Sequence, residues 1–490
     1  GDNDFTLTVT ADFNGLQNQQ IKEHTFKINV TLDQIGFPFD ANSQIKTSPV
    51  VIDLNNDGYN EIIFGDKFGF VRMLDVNGNE IENGLFPFDT GNEIWGSLAA
   101  GYIDGDDKID IVVTSKSKHL YVIDMDGEKL DYNANQFLIG TPALGNLDAD
   151  DDLEIVFGSY SSPGKVYAIN IDGTDVNGFP LELERTQKGV ALADFNNNGL
   201  HDIVIGTEND EVYLIYDDAS IAPGFPYVTG DRIRSAPSIL NLGESLLIVA
   251  ASTDGNLYAI NDDGSLRFLF ESDDDIFTSP TFLESPQGTM IFFGSDNGTL
   301  YAVDINGQLI DGFPIFELDS FLGSIVFHDL DSDGLAEIVF GSENGLLTIL
   351  KNNNGIYETY NSFPASNTFS YYSSVNIQDL DGDGDMEVFA GTTGDIVVYD
   401  IKETPSEESY WNVYRGNYHR TGIYTSENQC VAGDINNDGI YNVLDVVALV
   451  NFVIDSSGIT SSELCAADLN SDGIINVLDI VSLVNLVISS

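Results

Sequence analysis

The chain has 490 residues, with 79 acidic against 19 basic side chains, a formal charge of −60 and a hydrophobic share of 42%. That length exceeds one ordinary core and requires a large repeat domain or several domains. The charge argues against nucleic acid and anionic membranes as partners, because phosphate binding needs clustered cations, and no apolar run of 18 or more residues provides for membrane insertion.

The start at Gly1, without Met or a signal peptide, reads as a processed or trimmed piece of a longer precursor. Residues 1–34 hold two alternating segments, Phe5 to Thr10 and His24 to Thr31, expected as a β-hairpin or as the remnant of a preceding β-sandwich. From Ser48 a unit of three short strands recurs. It begins again at Ser97, Thr141, Gly189, Ser235, Ser279, Ser324 and Ser373, at intervals of 44 to 49 residues. The spacers carry Phe-Pro pairs at Phe86, Phe179, Phe225, Phe313 and Phe363, suited to an outer edge strand where a missing N–H costs least. Four-stranded units at this period predict a mainly β fold, an eight-bladed β-propeller over residues 35–423. A further Phe37-Pro38 precedes the first unit, so the N-terminal strand is expected to complete the eighth blade. The rival for that place is the segment Tyr410 to Gly422, around Trp411.

The first two strands of a unit are joined by an acidic loop. In the first unit the oxygens fall at Asp53, Asn55, Asp57 and Glu61, with the Tyr59 carbonyl between them and Gly58 allowing the turn. Oxygen ligands at alternate positions suit calcium, whereas soft metals would need thiolate or histidine. The pattern returns at Asp104, Asp106 and Asp110, with Tyr102 in first place, and at Asn146, Asp148, Asp150 and Glu154. It returns again at Asp194, Asn196, Asn198 and Asp202, at Asp329, Asp331, Asp333 and Glu337, and at Asp379, Asp381, Asp383 and Glu387. The fifth and sixth units lose the spacing and are expected to be metal-free, leaving about six calcium ions in the propeller.

These loops, followed by Ile-Val/Ile-Phe-Gly, resemble the FG-GAP (VCBS-type) repeats of calcium-dressed propellers such as the integrin α head. The resemblance covers about residues 35–423. It implies calcium on one face and a ligand, glycan or protein, on the other, with Trp95, Lys188, Arg232, Arg234, Phe277, Phe321, Tyr371 and Tyr372 as candidate contacts. The bland alternative is that the aromatics pack between blades and the basic residues pair with acids.

After a polar linker (424–429) the apolar period becomes helical, and residues 430–490 read as a small all-α, EF-hand-like module. Asp434, Asn436, Asp438, Asn442 and Asp445 occupy loop positions 1, 3, 5, 9 and 12, with the Ile440 carbonyl at 7. Asp468, Asn470, Asp472, Asn476 and Asp479, with Ile474, repeat the set. Two loops, each with only an exiting helix, resemble a type I dockerin, which implies two further calcium ions and a cohesin-type partner. The family's partner-selecting positions correspond to Val443, Leu444, Val477 and Leu478, apolar in both halves. Cys430 and Cys465 precede the two loops and are expected either as one disulfide or as two free thiols.

No catalytic set emerges: the five histidines are scattered, and nucleophile-elbow, zincin and P-loop motifs are absent. The expected function is an extracellular, secreted or cell-surface, calcium-binding propeller that holds a ligand and is attached through its dockerin to a cohesin-bearing scaffold. The alternatives are a polysaccharide lyase, for which Lys188 with Arg232 or Arg234 is the cluster to test, or the accessory C-terminal part of a secreted hydrolase or protease.

Overall fold

The computed structural model describes residues 2–9, 22–29 and 32–425, apart from loop positions 107, 151, 244, 286–287, 317, 354 and 407. In the C-terminal region it describes 433, 435, 443–454, 466–467, 469 and 475–489. Asp2–Val9 and Lys22–Asn29 form an antiparallel hairpin. Eight further sheets follow, one per sequence unit, as the blades of a propeller.

In the first blade Val50–Ile52, Glu61–Gly65, Phe70–Leu74 and Phe88–Asp89 run from the central channel outward in chain order. Every residue of the second strand is buried, because it packs against blades on both sides, so it reads as a continuous apolar run rather than an alternation. The glycine that ends this strand lets the neighbouring blade approach. A Cβ on Gly65 would stand 2.5 Å from Ile94, and one on Gly294 would stand 2.5 Å from Phe321. Outer strands follow directly on the Phe-Pro pairs, as at Phe88, Leu181, Tyr227 and Ala365.

The ring closes through the N-terminal strand. Phe39–Asp40 pairs antiparallel with Asp395–Ile401 as the outer strand of the eighth blade. On the inside the Ser374 N–H donates to Ser48 Oγ (3.0 Å) and the Asn376 amide to the Pro49 carbonyl (2.9 Å). The same hydroxyl link joins other neighbours, Ser48 to Ser97 and Ser97 to Thr141.

The Trp411 segment has a different task from the one considered for it in the sequence. It fills the central channel, where the innermost strand of each blade presents unpaired N–H groups. The carbonyls of Trp411, Asn412, Tyr418, His419, Thr421 and Gly422 accept from Phe327, Ile377, Ala100, Leu144, Leu192 and Ile239 at 2.8–3.0 Å. The Tyr418 hydroxyl accepts from the Val51 N–H, and the Trp411 ring packs edge-on to Phe282. All eight blades are thereby touched. The chain leaves as Ile423–Thr425, parallel to Ser238–Asn241 of the fifth blade. Two wholly buried guanidiniums secure the segment. Arg415 donates to the carbonyls of Val190 and Pro237 and to Ser238 Oγ, and Arg420 to the carbonyls of Leu98 and Tyr414. Burial draws both down to about 10, so they remain charged at neutral pH.

Arg415→Met leaves several buried carbonyls without a donor, so it is expected to lower stability by about 2–4 kcal/mol in chemical denaturation. Arg267→Met, on an exposed outer strand, should change it by less than about 0.5 kcal/mol. Equal midpoints for the two variants would refute the plug's role. His419, also in the plug, is held below its ordinary 6.5 by burial. The unfolded chain therefore takes up a proton that the folded chain resists, and this contribution to stability is lost as pH falls through 6.5. The difference in unfolding midpoint between wild type and His419→Gln should shift toward the variant between pH 7.5 and pH 5.5; a difference constant over that range would contradict it.

Candidate functional site

The acidic loops and the ligand-face candidates lie at opposite ends of the innermost strands. Each acidic loop follows the first strand of its blade, whereas the candidates precede it.

The last carboxylate of each loop lies at the start of the second strand, as its first residue at Glu61, Asp110, Glu154, Asp202 and Glu337 and its second at Glu387, and all six are buried. One oxygen accepts the N–H of the second loop residue, as from Leu54 (3.0 Å), Ile103 (3.1 Å), Phe195 (2.8 Å), Leu330 (2.7 Å) and Leu380 (2.7 Å). The other oxygen has no hydrogen-bond partner in Asp110, Glu154, Glu337 and Glu387. Burial, with repulsion from neighbouring loop carboxylates, pushes Asp110 up to about 6, Glu61, Glu154 and Asp202 to about 7, and Glu337 and Glu387 to about 8. The first carboxylate shapes the turn: Asp53 accepts from the N–H groups of Asp57 and Gly58, Asp194 and Asp329 repeat the pattern, and Asp379 accepts from Gly382 and Gly384.

Carboxylate oxygens converge to within 4.8 Å in Asp148, Asp150 and Glu154, in Asp329, Asp331 and Asp333, and in Asp379, Asp381 and Glu387. Orphaned buried oxygens beside further carboxylates are relieved by a divalent cation, and an all-oxygen donor set fits calcium. In the first and fourth loops the Asn55 and Asn196 amides donate to Glu61 and Asp202, so holding an ion there requires the amide to turn.

Three lysines missed in the sequence reach these loops. Lys129 lies 3.3 Å from Asp104, 2.9 Å from Asp106 and 3.2 Å from Asp124. Lys351 pairs with Asp331 and Asp333, and Lys402 with Asp383, Asp385 and Asp400. Their ammonium groups supply part of the positive charge these carboxylates require. The fifth and sixth units join the same strands through turns closed by Leu242–Ser245 and Ser285–Gly288 hydrogen bonds.

At the other end is a central basin of about 270 Å³, floored by Ser and Thr side chains and by Tyr414 of the plug. Every blade contributes to the wall, through Lys46, Trp95, Ile139, Lys188 with Gln187, Arg234, Phe277, Leu322 and Tyr372 in ring order. Five of these were candidates in the sequence. Three other candidates are corrected. Phe321 and Tyr371 are fully buried, packed over Gly294 and Gly341 of the preceding blades, because they fall one residue before the wall position. Arg232 is exposed outside the basin beside Asp231. Lys46 was missed; its signal is its position two residues before Ser48, matching Trp95 before Ser97. Its ammonium stands 3.8 Å from the Trp95 ring centroid. Trp95 is held in turn by Glu93, which accepts from Trp95 Nε1 (2.7 Å) and Lys116 Nζ (3.0 Å).

In the C-terminal region helices α1 (Val443–Ile454) and α2 (Val477–Ser489) pack around Ile435, Leu449, Ala466, Ala467 and Leu483. Asp445 and Asp479, in the first turns, are fully buried, and accept from the Ile435 and Asn476 N–H groups at 2.9 Å. Val477 is 62% exposed, with Val481 one turn on and Val447 at the equivalent place in α1. Asp434, Asn436, Asp438, Ile440, Asn442, Asp468, Asn470, Asp472, Ile474, Cys430 and Cys465, and the side chains of Val443, Leu444 and Leu478, lie outside the described residues.

Residues 329–390, from the acidic loop of the seventh blade into the eighth, match the FG-GAP-like repeat family, and residues 432–488 match the type I dockerin domain. The chain joins an FG-GAP-like propeller to a type I dockerin. Both families generally bind calcium, and dockerins occur in secreted, cell-surface or cellulosome proteins. The computationally designed Ika8 protein is similar in fold, at 15% identity over 75% of this chain and 99% of that one, with a TM-score of 0.50. BBS1N from its complex with ARL6DN, soaked with mercury, gives 12% identity over 77% and 99% of the two chains, with a TM-score of 0.48. Curated proteins give no match. No helix among the described residues is long and apolar enough to cross a membrane.

Calcium restored after chelation is expected to raise the unfolding midpoint in a concentration-dependent way, corresponding to about 2.7 kcal/mol of added stability per propeller site at a hundredfold excess over Kd. Asp329→Asn with Asp379→Asn should remove part of this increase. A midpoint unchanged by calcium would contradict the loop assignment.

Proposed function

We propose that this is an extracellular, calcium-stabilised propeller that presents its central basin to a ligand and is anchored by its dockerin to a cohesin-bearing scaffold. The observation that carries the anchoring is the pair of loop-helix units, each ending its loop in a buried aspartate and leaving valines exposed on the helix. Calcium in both loops holds the helices in register, and a mainly hydrophobic contact through Val443, Leu444, Val477 and Leu478 meets the cohesin. Near-identity of the two halves lets either helix lead. The basin is the place for the ligand because wall residues from all eight blades converge there.

A second reading, a polysaccharide lyase, draws on one observation: Lys188 and Arg234 line the same basin. Unsaturated ends released from uronic-acid polysaccharides would establish it.

Capture of the full chain on immobilised cohesins tests the anchoring. Calcium-dependent capture is expected. Val443→Asp or Val477→Asp alone should weaken it less than the two together, since one half can substitute for the other. Capture that survives full chelation would sink the dockerin reading.

A further inference from the structure

The basin's lining is unlike the rest of the chain. Acidic side chains outnumber basic ones by 79 to 19 overall, yet the described lining holds Lys46, Lys188 and Arg234 and no carboxylate. Arg234 is neutralised by Glu208, to which it donates two hydrogen bonds (2.8 and 3.1 Å). Lys46 and Lys188 make no ion pair among the described residues, and Lys46 is lowered from its ordinary value by burial and by the positive charge of Lys188. Glu93 attracts Lys46 but is already engaged by Lys116 and by Trp95 Nε1, so two half-buried like charges with no ion pair of their own mark a place where the anion comes from outside.

The ring order adds shape. Phe277, Leu322 and Tyr372, from consecutive blades, form an apolar arc, and the cations occupy other sectors of the wall. Below them lies the floor of Ser and Thr side chains. A ligand suited to all three surfaces has an apolar face, hydroxyls and a negative group within a small volume. A sugar acid combines them: its C–H face meets the negative face of an aromatic ring, and its anionic group meets an ammonium.

Building on the basin reading above, we infer that the basin binds an acidic sugar residue of a polyanionic glycan, with Lys46 and Lys188 meeting its anionic group and Phe277 its ring face.

The full chain in calcium would be titrated calorimetrically with an oligogalacturonate (carboxylate), a heparin oligosaccharide (sulfate), a neutral cello-oligosaccharide and polyglutamate. At least one acidic glycan should bind, with affinity falling as salt rises. Lys46→Gln and Lys188→Gln should each weaken binding by about tenfold or more. Phe277→Ala should also weaken it, but without changing the salt dependence. Arg267→Gln, on an outer strand, should bind as wild type. Unfolding midpoints and cohesin capture verify that each variant is folded. Preference between the first two probes identifies carboxylate or sulfate, and unsaturated products would add lyase chemistry to the same assignment. Neutral sugar bound as tightly as the acidic glycans would overturn the acidic-sugar assignment while leaving the basin as a ligand site. Polyglutamate bound as tightly, and indifferent to Phe277→Ala, would replace the sugar by an acidic polypeptide. No binding to any probe, with cohesin capture intact, would overturn both basin readings and spare the anchoring.

Discussion

Eight innermost strands that turn their free edges toward one channel set the main constraint on this structure. Each edge carries N–H groups that neither a neighbouring strand nor bulk water satisfies. The segment Trp411 to Gly422 answers with carbonyls, and Arg415 and Arg420 in turn cover carbonyls that the strands leave open. Blade order, channel width and basin floor all follow from this exchange. Tyr414, on the same segment, forms part of the basin floor, so the element that stabilises the ring also shapes the proposed binding surface.

The two ends of the ring divide the electrostatics. At one end buried carboxylates crowd together at the start of the second strand in six blades, with partnerless oxygens in four of them. In three blades lysines supply part of the positive charge that this crowding requires, and the remaining oxygens form a donor set that fits calcium. At the other end the basin wall has no acid, and two of its lysines make no ion pair among the described residues. The C-terminal loops use the device of the propeller loops again: a buried aspartate bonded back to the backbone of its own loop.

Much of this was legible in the residues. The repeat interval, the buried second strand, the Phe-Pro outer strands and the acidic spacing are local features, and each maps onto a blade. The N-terminal closure was legible too, from an outer-strand signature with no blade of its own. The basin was only half legible. Its wall position is read by counting back from the inner strand, and irregular loops move that count by one in some blades. Phe321 and Tyr371 thus fell into the interior, where neighbouring glycines make room for them, while Leu322 and Tyr372 face the basin.

By itself the amino-acid order determined what repeats: eight blades, their oxygen-lined loops and the tandem dockerin units, because period, turn chemistry and ligand spacing are set within a few dozen residues. The tertiary structure alone decided what converges. Lys129 reaches the loop of Asp104 and Asp106 from a different strand, Lys46 and Lys188 line one basin from different blades, and a segment near residue 415 bonds to residues from 98 to 377. Those contacts join positions tens to hundreds of residues apart, and no local pattern encodes which side chain will face the common axis once the ring has closed.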